Sequence, residues 1–410
     1  MDRHPNLKLK RSLSIAFVST SPPRQCGIAT FSSDLERALK TADSSTLIQW
    51  VAINEPTSIH LYGPHVRWRI RQGDPASYRS AAEQLNVAAI DVISLQHEFG
   101  LYGTWGDPFE DHLVPFLDAI AKPLVTTLHS VLPEPSPSIR DAVHRIAERS
   151  MTLVVMAERA RSLLIQEYGI ADKQVRVVPH GVPPVQPRGR TRIKEQLDLT
   201  GRTIITTFGL VDPRKGLEYM IEAMQMVREY DPTALYLIVG KTHPELIRRE
   251  GEAYRRQLWQ LVKDFGLQRH VEFVDEYLSQ EQIVEYLLAS DVYVTPYLDP
   301  KQITSGTLAY ALGAGKAIVS TPYPHAVEVL TAERGILVPF RSQSALAEST
   351  LRILRDPVLK QRFEQAAYAY GRETAWPRVG ERMLSILRTA TFPSRIDASD
   401  PAALVSTFGA

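Results

Sequence analysis

Thr295-Pro296-Tyr297-Leu298-Asp299-Pro300-Lys301-Gln302-Ile303-Thr304-Ser305-Gly306-Thr307-Leu308-Ala309-Tyr310-Ala311-Leu312-Gly313-Ala314-Gly315-Lys316 is the stretch whose reading decides the fold. An apolar run, Asp291 to Val294, precedes it and reads as a buried strand; a second run, Ala317 to Thr321, follows it. Between them lie a loop of small residues and a short helix, from Ser305 to Leu312. A strand, a loop rich in backbone N–H groups and a helix N-terminus together make a place for an anionic or polyhydroxyl ligand.

Outward from this stretch the same alternation recurs. Upstream, strands are expected near Thr203–Phe208, Ala234–Val239 and His270–Val274, and helices near Gly216–Tyr230, Glu245–Phe265 and Gln280–Ala289. Downstream come a strand near Gly335–Pro339 and a helix near Ser344–Leu354. Pro179-His180-Gly181-Val182-Pro183-Pro184-Val185-Gln186-Pro187-Arg188-Gly189 interrupts the pattern and reads as a linker. Before it, strands near Leu13–Thr20, Leu47–Ala52, Asp91–Gln96, Pro123–Thr127, Thr152–Met156 and Val175–Val178 alternate with helical patterns, among them ones near 76–85, 109–121, 138–149 and 158–168. Such alternation argues for parallel sheets covered on both faces. The expected fold class is therefore α/β, with one domain over 1–184 and a second over 185–375. Residues 376–390 form a further helix beginning at Trp376-Pro377, and 391–410 a loose tail. Two such sheets facing each other leave a cleft between their strand ends.

Composition narrows the function classes. A chain of 410 residues with 44% hydrophobic and 23% charged residues fits a two-domain globular protein. The net charge of +1 provides no bulk field for nucleic acid. Cys26 is the single cysteine, so no disulfide framework forms within the chain, in keeping with a reducing cytoplasm. No apolar run reaches the roughly 20 residues that span a bilayer. Leu13 to Val18 is too short for a signal-peptide core and reads as a strand. Lys8, Lys10, Arg11, Arg248, Arg249, Arg255 and Arg256 could touch anionic lipid, but a solvated face is the favoured reading.

The chemistry concentrates at strand ends. Thr203–Phe208 runs into Gly209-Leu210-Val211-Asp212-Pro213-Arg214-Lys215-Gly216, so two cations sit one step before a helix. Cations, free N–H groups and a positive dipole end suit a diphosphate; a solvated basic turn is the bland alternative. The loop Ser305-Gly306-Thr307 on the same sheet edge favours the first. In the other domain, Gln96-His97-Glu98 ends a strand and is either an acceptor-side ligand cluster or a helix-capping or interdomain salt-bridge cluster. His129 follows another strand end and is either a site residue or a hydrogen-bonded core histidine. Scattered histidines and the lack of a paired-aspartate loop offer no metal site.

Gly209 through Lys215-Gly216, followed by an apolar helix, resembles the phosphate-binding segment of glycosyltransferase family 4. Tyr236-Leu237-Ile238-Val239-Gly240, Gly313-Ala314-Gly315-Lys316-Ala317-Ile318-Val319-Ser320, and Glu328 with Gly335-Ile336-Leu337-Val338 extend the resemblance, as does the terminal helix from Trp376. It covers about residues 13–390. It implies a GT-B fold: two facing Rossmann-like domains, an interdomain cleft and a C-terminal crossover helix. It also implies a retaining, metal-independent hexosyltransferase using a nucleotide sugar. Two departures stand out. The family's Glu-x7-Glu pair, whose first member contacts the donor sugar and second the ribose, is replaced by Gln302 and Tyr310. Leu210 stands where the family carries an arginine, a charge that Arg214 can supply from another position.

Carried onto this sequence, the resemblance and the residue reading together nominate catalytic groups Arg214, Lys215, His129 and Gln302. Donor contacts would come from Gly27, Gly209, Gly216, Ser305, Gly306, Thr307, Tyr310, Glu328 and His180. Gln96, His97 and Glu98 would face the acceptor. No cofactor is expected, the GDP- or UDP-linked sugar being a substrate. The partners are that nucleotide sugar and a carbohydrate or lipid-linked acceptor, in the cytoplasm, with mannose or glucose as the transferred hexose. A non-catalytic sugar- or nucleotide-binding protein and a sugar-phosphate-using phosphorylase of the same fold are the alternatives.

Overall fold

Runs such as Ile15-Ala16-Phe17-Val18 and Leu235-Tyr236-Leu237-Ile238 have no polar side to offer water, so they form interior strands of parallel sheets covered on both faces. The computed structural model describes residues 12–391 apart from 57–59, 107–108 and 187–188. Lys8, Lys10, Arg11 and the stretch 392–410 of the expected tail lie outside the described residues.

The first body contains β1 (Ser14–Ser19), α1 (Gly27–Ala42), β2 (Leu47–Asn54), β3 (Val66–Arg71), α2 (Pro75–Val87) and β4 (Val92–His97). After a small hairpin of β5 (Gly103–Thr104) and β6 (Glu110–Asp111) come α3 (Val114–Ala119), β7 (Leu124–Leu128), α4 (Pro137–Arg149), β8 (Thr152–Val155), α5 (Glu158–Gln166) and β9 (Val175–Val177). Seven strands form one parallel sheet in the order β3-β2-β1-β4-β7-β8-β9.

The second body contains α6 (Arg190–Gln196), β10 (Thr203–Phe208), α7 (Leu217–Tyr230), β11 (Ala234–Val239), α8 (Pro244–Glu250), α9 (Ala253–Asp264), β12 (Val271–Val274) and α10 (Gln280–Ala289). It continues with β13 (Val292–Thr295), α11 (Gly306–Gly313), β14 (Ile318–Ser320), α12 (Pro324–Val329), β15 (Gly335–Leu337), α13 (Gln343–Arg355) and α14 (Pro357–Glu373). Its six parallel strands run β12-β11-β10-β13-β14-β15. In both sheets the strand order reverses beside the first strand of the body, the place where open α/β sheets leave a ligand crevice.

The last helix, α15 (Trp376–Thr391), returns to the first body and packs along α1. The approach is close because Gly380 has no side chain: a Cβ there would overlap the Ala38 carbonyl. Beside it, Val182 N–H donates to the Thr374 carbonyl at 3.0 Å and Trp376 N–H to the Val182 carbonyl at 2.9 Å, so the outgoing and returning segments are bonded side by side.

Some local expectations are corrected. The single helix expected over 245–265 is two, broken at Gly251, whose φ of 59° leaves the helical region. The helix expected over 109–121 shrinks to α3, because Glu110 and Asp111 pair in the hairpin instead. Arg255 is not on a solvated face: it is buried, donating to the Gly240 carbonyl at 2.8 Å. Arg248 and Arg249 are exposed and ion-paired with Glu245 and Glu250. Among the described residues no helix is long and apolar enough to cross a membrane.

Candidate active site

Two loops of the second body are zipped together. In the turn after β10, Asp212 caps a short 3-10 turn by accepting from Arg214 N–H at 2.9 Å. Gly216 then adopts φ 59°, and a Cβ there would overlap the Pro296 carbonyl. Only glycine allows both the left-handed backbone and that proximity. The Leu298 N–H donates back to the Arg214 carbonyl at 2.8 Å. Gly209, at φ 129°, brings the end of β10 against the Thr307 methyl. The cation-bearing turn and the N-terminus of α11 therefore form one surface.

Lys215 is held over the Tyr297 ring, its Nζ 3.7 Å from the centroid. The Tyr297 hydroxyl in turn shares a 2.6 Å hydrogen bond with Thr307 Oγ1. Arg214 is more open, with 69% of its side chain exposed, and its Nε donates to Asp212 at 2.8 Å. Bonding to Asp212 raises the Arg214 pKa, and the Glu98 carboxylate of the first body adds to that effect across the gap. Burial works against ionised Asp212, yet the bonds from Arg214 hold its carboxyl below the usual range.

Ser305 caps α11, its Oγ accepting from Leu308 N–H at 3.3 Å. Its own N–H is already committed to His325 Nδ1 at 2.9 Å, so an incoming anion meets the free first-turn N–H groups of Gly306 and Thr307. Burial pushes His325 down to about 3, leaving a neutral ring able to accept that bond. Gln302 turns its amide onto the Thr304 carbonyl at 3.2 Å, which leaves its side-chain carbonyl as the group for a ligand hydroxyl.

On the first body, Gly27 opens α1 after Cys26, whose Sγ caps the helix by accepting from Ala29 N–H at 3.4 Å; a Cβ on Gly27 would meet no atom within 4 Å. The three residues nominated for the acceptor separate. Gln96 and His97 are buried, so the expectation that both face an acceptor is corrected. Gln96 Oε1 pairs with His129 Nε2 at 3.0 Å, and the His97 ring stacks on Tyr102 with centroids 5.4 Å apart. Gln96 is satisfied there, its Nε2 donating to Ser94 Oγ at 3.0 Å, whereas the His97 ring is held by packing against Phe99 and Tyr102 and its Nδ1 has no hydrogen-bond partner. Glu98 alone of the three reaches the surface, accepting from Ser130 Oγ at 2.6 Å and from Phe99 N–H at 3.1 Å. Burial raises its carboxyl pKa, opposed by Ser130, the Phe99 N–H and the Arg214 charge.

Where the bodies meet, Phe31 stands edge-on to His129, His180 and Trp376 with centroids 4.7–5.3 Å away. Burial lowers His129 to about 3 and His180 to about 4, so both rings are neutral. His180 Nδ1 lies 2.8 Å from the Gly181 carbonyl and its Nε2 faces the Gly306 backbone, which has room for it only as glycine.

Two nominated donor contacts are engaged elsewhere. Glu328 does not face the loops of α11. Its carboxylate accepts from the Glu158 and Arg159 N–H groups at 2.9 and 3.0 Å, capping α5 of the opposite body. The Tyr310 hydroxyl donates to Asp34 Oδ2 of α1 at 3.2 Å and accepts from Gln280 Nε2 at 2.8 Å. Asp34, Gln280 and Ser130 were not nominated from sequence. Asp34 carried a readable signal, an acid on the same helical stripe as Phe31, Leu35 and Ala38. Among the described residues no group of three or more His, Cys, Asp or Glu is arranged to hold a metal ion.

Residues 189–370 match the family model described as glycosyl transferases group 1. The phosphatidyl-myo-inositol mannosyltransferase of Mycobacterium leprae is 25% identical over 201 residues, 48% of this chain and 50% of that protein. The Mycobacterium tuberculosis protein of the same name is 24% identical over 329 residues, covering 78% of this chain and 79% of that protein. The match thus spans about half the length of the first of these relatives. HepE of Anabaena, solved with UDP and glucose, superposes with a TM-score of 0.71 at 16% identity, over 92% of this chain and 100% of that one. Sucrose-phosphate synthase from Thermosynechococcus elongatus gives 0.73 at 21% identity, over 93% of this chain and 100% of that one. The chain therefore has the GT-B fold of these neighbours, and its residues 189–370 carry the likeness to the group 1 glycosyl transferases.

Proposed function

We propose that the protein transfers a hexosyl group from a nucleoside-diphosphate sugar to a hydroxyl of a carbohydrate or lipid-linked acceptor, with retention of anomeric configuration. The carrying observation is the zipped surface of Lys215, Arg214 and the first turn of α11, which faces Glu98 of the other body. A diphosphate resting there gains charge as the anomeric C–O bond breaks, and fixed cations and N–H groups stabilise that charge most at the transition state. The acceptor oxygen bonds to the anomeric carbon on the face the diphosphate leaves. Its proton passes to the departing phosphate oxygen. Glu98 accepts a hydrogen bond from an acceptor hydroxyl, and the neutral His129 and the Gln302 carbonyl orient the transferred sugar. In this reading the protein's own cations do the electrostatic work, without a metal ion or cofactor, in the cytoplasm.

Mannose and glucose are the hexoses the relatives favour: their names include mannosyltransferases, and the similar fold of HepE was solved with UDP and glucose. The test incubates the protein with GDP-mannose, UDP-glucose and related donors and follows nucleotide release, then the anomeric configuration of the product by NMR. Transfer with retention supports the reading, and inversion overturns it. A second reading, a non-catalytic binder, has one observation in its favour: the Tyr310 hydroxyl is engaged by Asp34 and Gln280. It expects thermal shifts with nucleotide sugars and no nucleotide release with any acceptor. Phosphate-dependent cleavage of a glycoside would instead identify a phosphorylase.

A further inference from the structure

Asp34 is an acid where α1 should be apolar. It is buried on the stripe that carries Phe31, Leu35 and Ala38, yet it is not paired within its own body alone. Its Oδ2 accepts from two groups of the opposite body, Gln280 Nε2 at 3.0 Å and the Tyr310 hydroxyl at 3.2 Å. Its Oδ1 has a longer contact, 3.4 Å to Arg37 Nη1. One carboxylate oxygen is thus fully used in joining the bodies and the other retains acceptor capacity. Burial raises the carboxyl pKa, opposed by Arg37 and by the Tyr310 and Gln280 bonds.

The position of this group matters. Tyr310 lies just over one helical turn, about 6 Å, along α11 from Gly306, whose N–H opens the anion-binding end. Along a nucleoside diphosphate that is the scale of the step from phosphate to ribose. Around Asp34, the Thr30 and Tyr277 hydroxyls approach to 3.3 Å and Arg37 reaches Gln280 at 3.4 Å. Polar groups of α1 therefore line the far side of the phosphate surface, and they are present only while the bodies are together.

We infer that Asp34 is a donor-positioning residue: its Oδ1, which contacts only Arg37 at 3.4 Å, accepts from the ribose diol of the nucleoside diphosphate, with Tyr310 and Gln280 holding the carboxylate through Oδ2. The inference rests on the nucleotide-sugar reading above. In this arrangement the carboxylate for the diol comes from the first body rather than from α11. Nucleotide binding then draws the two bodies together, since neither body alone completes the contact.

The experiment is calorimetric titration with UDP and GDP and with their 2′-deoxy counterparts. The wild-type protein should prefer the ribose form of its nucleotide about tenfold or more. Asp34→Asn and, separately, Tyr310→Phe should weaken ribonucleotide binding about tenfold and bring the two sugar forms within about twofold of each other. Thermal melts verify that each variant folds, and Tyr310→Phe decides the matter should Asp34→Asn not fold. Adding Tyr310→Glu to Asp34→Asn should restore the ribose preference, an outcome a purely structural role does not produce. Wild-type affinity and wild-type ribose preference in the folded variants would overturn the inference while leaving the transferase reading intact. Failure of the wild-type protein to bind either nucleotide would remove both.

Discussion

At the scale of single residues, the sequence exposed the cations and hid the groups that hold them. Arg214 and Lys215 were legible because two positive charges precede a helix between glycines. Tyr297, which fixes Lys215, was not, because a tyrosine in a loop has no pattern to mark what lies over its ring. Lys215→Ala should lower kcat at least about tenfold with an unchanged melting temperature, measured by donor-dependent nucleotide release. Unchanged kcat would remove Lys215 from the reaction. Titration also belongs to this scale. His97, His129 and His325 are lowered to about 3 and His180 to about 4, all by burial. In the folded protein they stay neutral, whereas in the unfolded chain they take a proton below about pH 6.5. Their contribution is therefore complete above that pH and is lost progressively as pH falls toward 4, by up to about 1.4 kcal/mol per pH unit for each histidine. The raised carboxyls of Asp34 and Glu98 act in the opposite sense, losing stabilisation as pH rises through their range. Urea midpoints measured from pH 7 to pH 5 should fall, and a flat profile would contradict the buried, neutral histidines.

Elements were readable where burial leaves a uniform signature. Interior parallel strands are largely apolar or β-branched, so β1, β10, β11 and the first half of β4 could be placed from composition alone. The edge strand β3 could not: Val66-Arg67-Trp68-Arg69-Ile70-Arg71 alternates with arginines because one of its faces meets solvent. The short helices α6 and α12 were missed because one or two turns carry too few apolar positions to set a period. The seam between α1 and α15 is the element-level feature with the sharpest steric requirement. Gly380→Ala puts a methyl group into the Ala38 carbonyl and should destabilise the protein by about 1–3 kcal/mol in urea unfolding. A neutral result would mean that α15 slides along α1 at little cost.

For the whole molecule, the two-body plan was legible from alternation and a proline-rich break, and the return of the last helix only through family resemblance. The clasp was not. Glu328 and the N-terminus of α5 meet only because the fold brings them together, and a carboxylate near one helix does not announce that it caps another. A negative charge at a helix N-terminus is worth about 0.3–1 kcal/mol, so Glu328→Gln should shift the balance toward separated bodies by about two- to fivefold. Small-angle scattering should record a larger radius of gyration for the variant without nucleotide. An unchanged radius would mean that Glu328 does not hold the bodies together. The side-by-side tethers at Val182 and Thr374–Trp376 have a further consequence. A single tether would let one body twist freely against the other, but two adjacent strands act like the spine of a book. Motion is confined to opening and shutting about one line, so each time the covers close, the same pages meet.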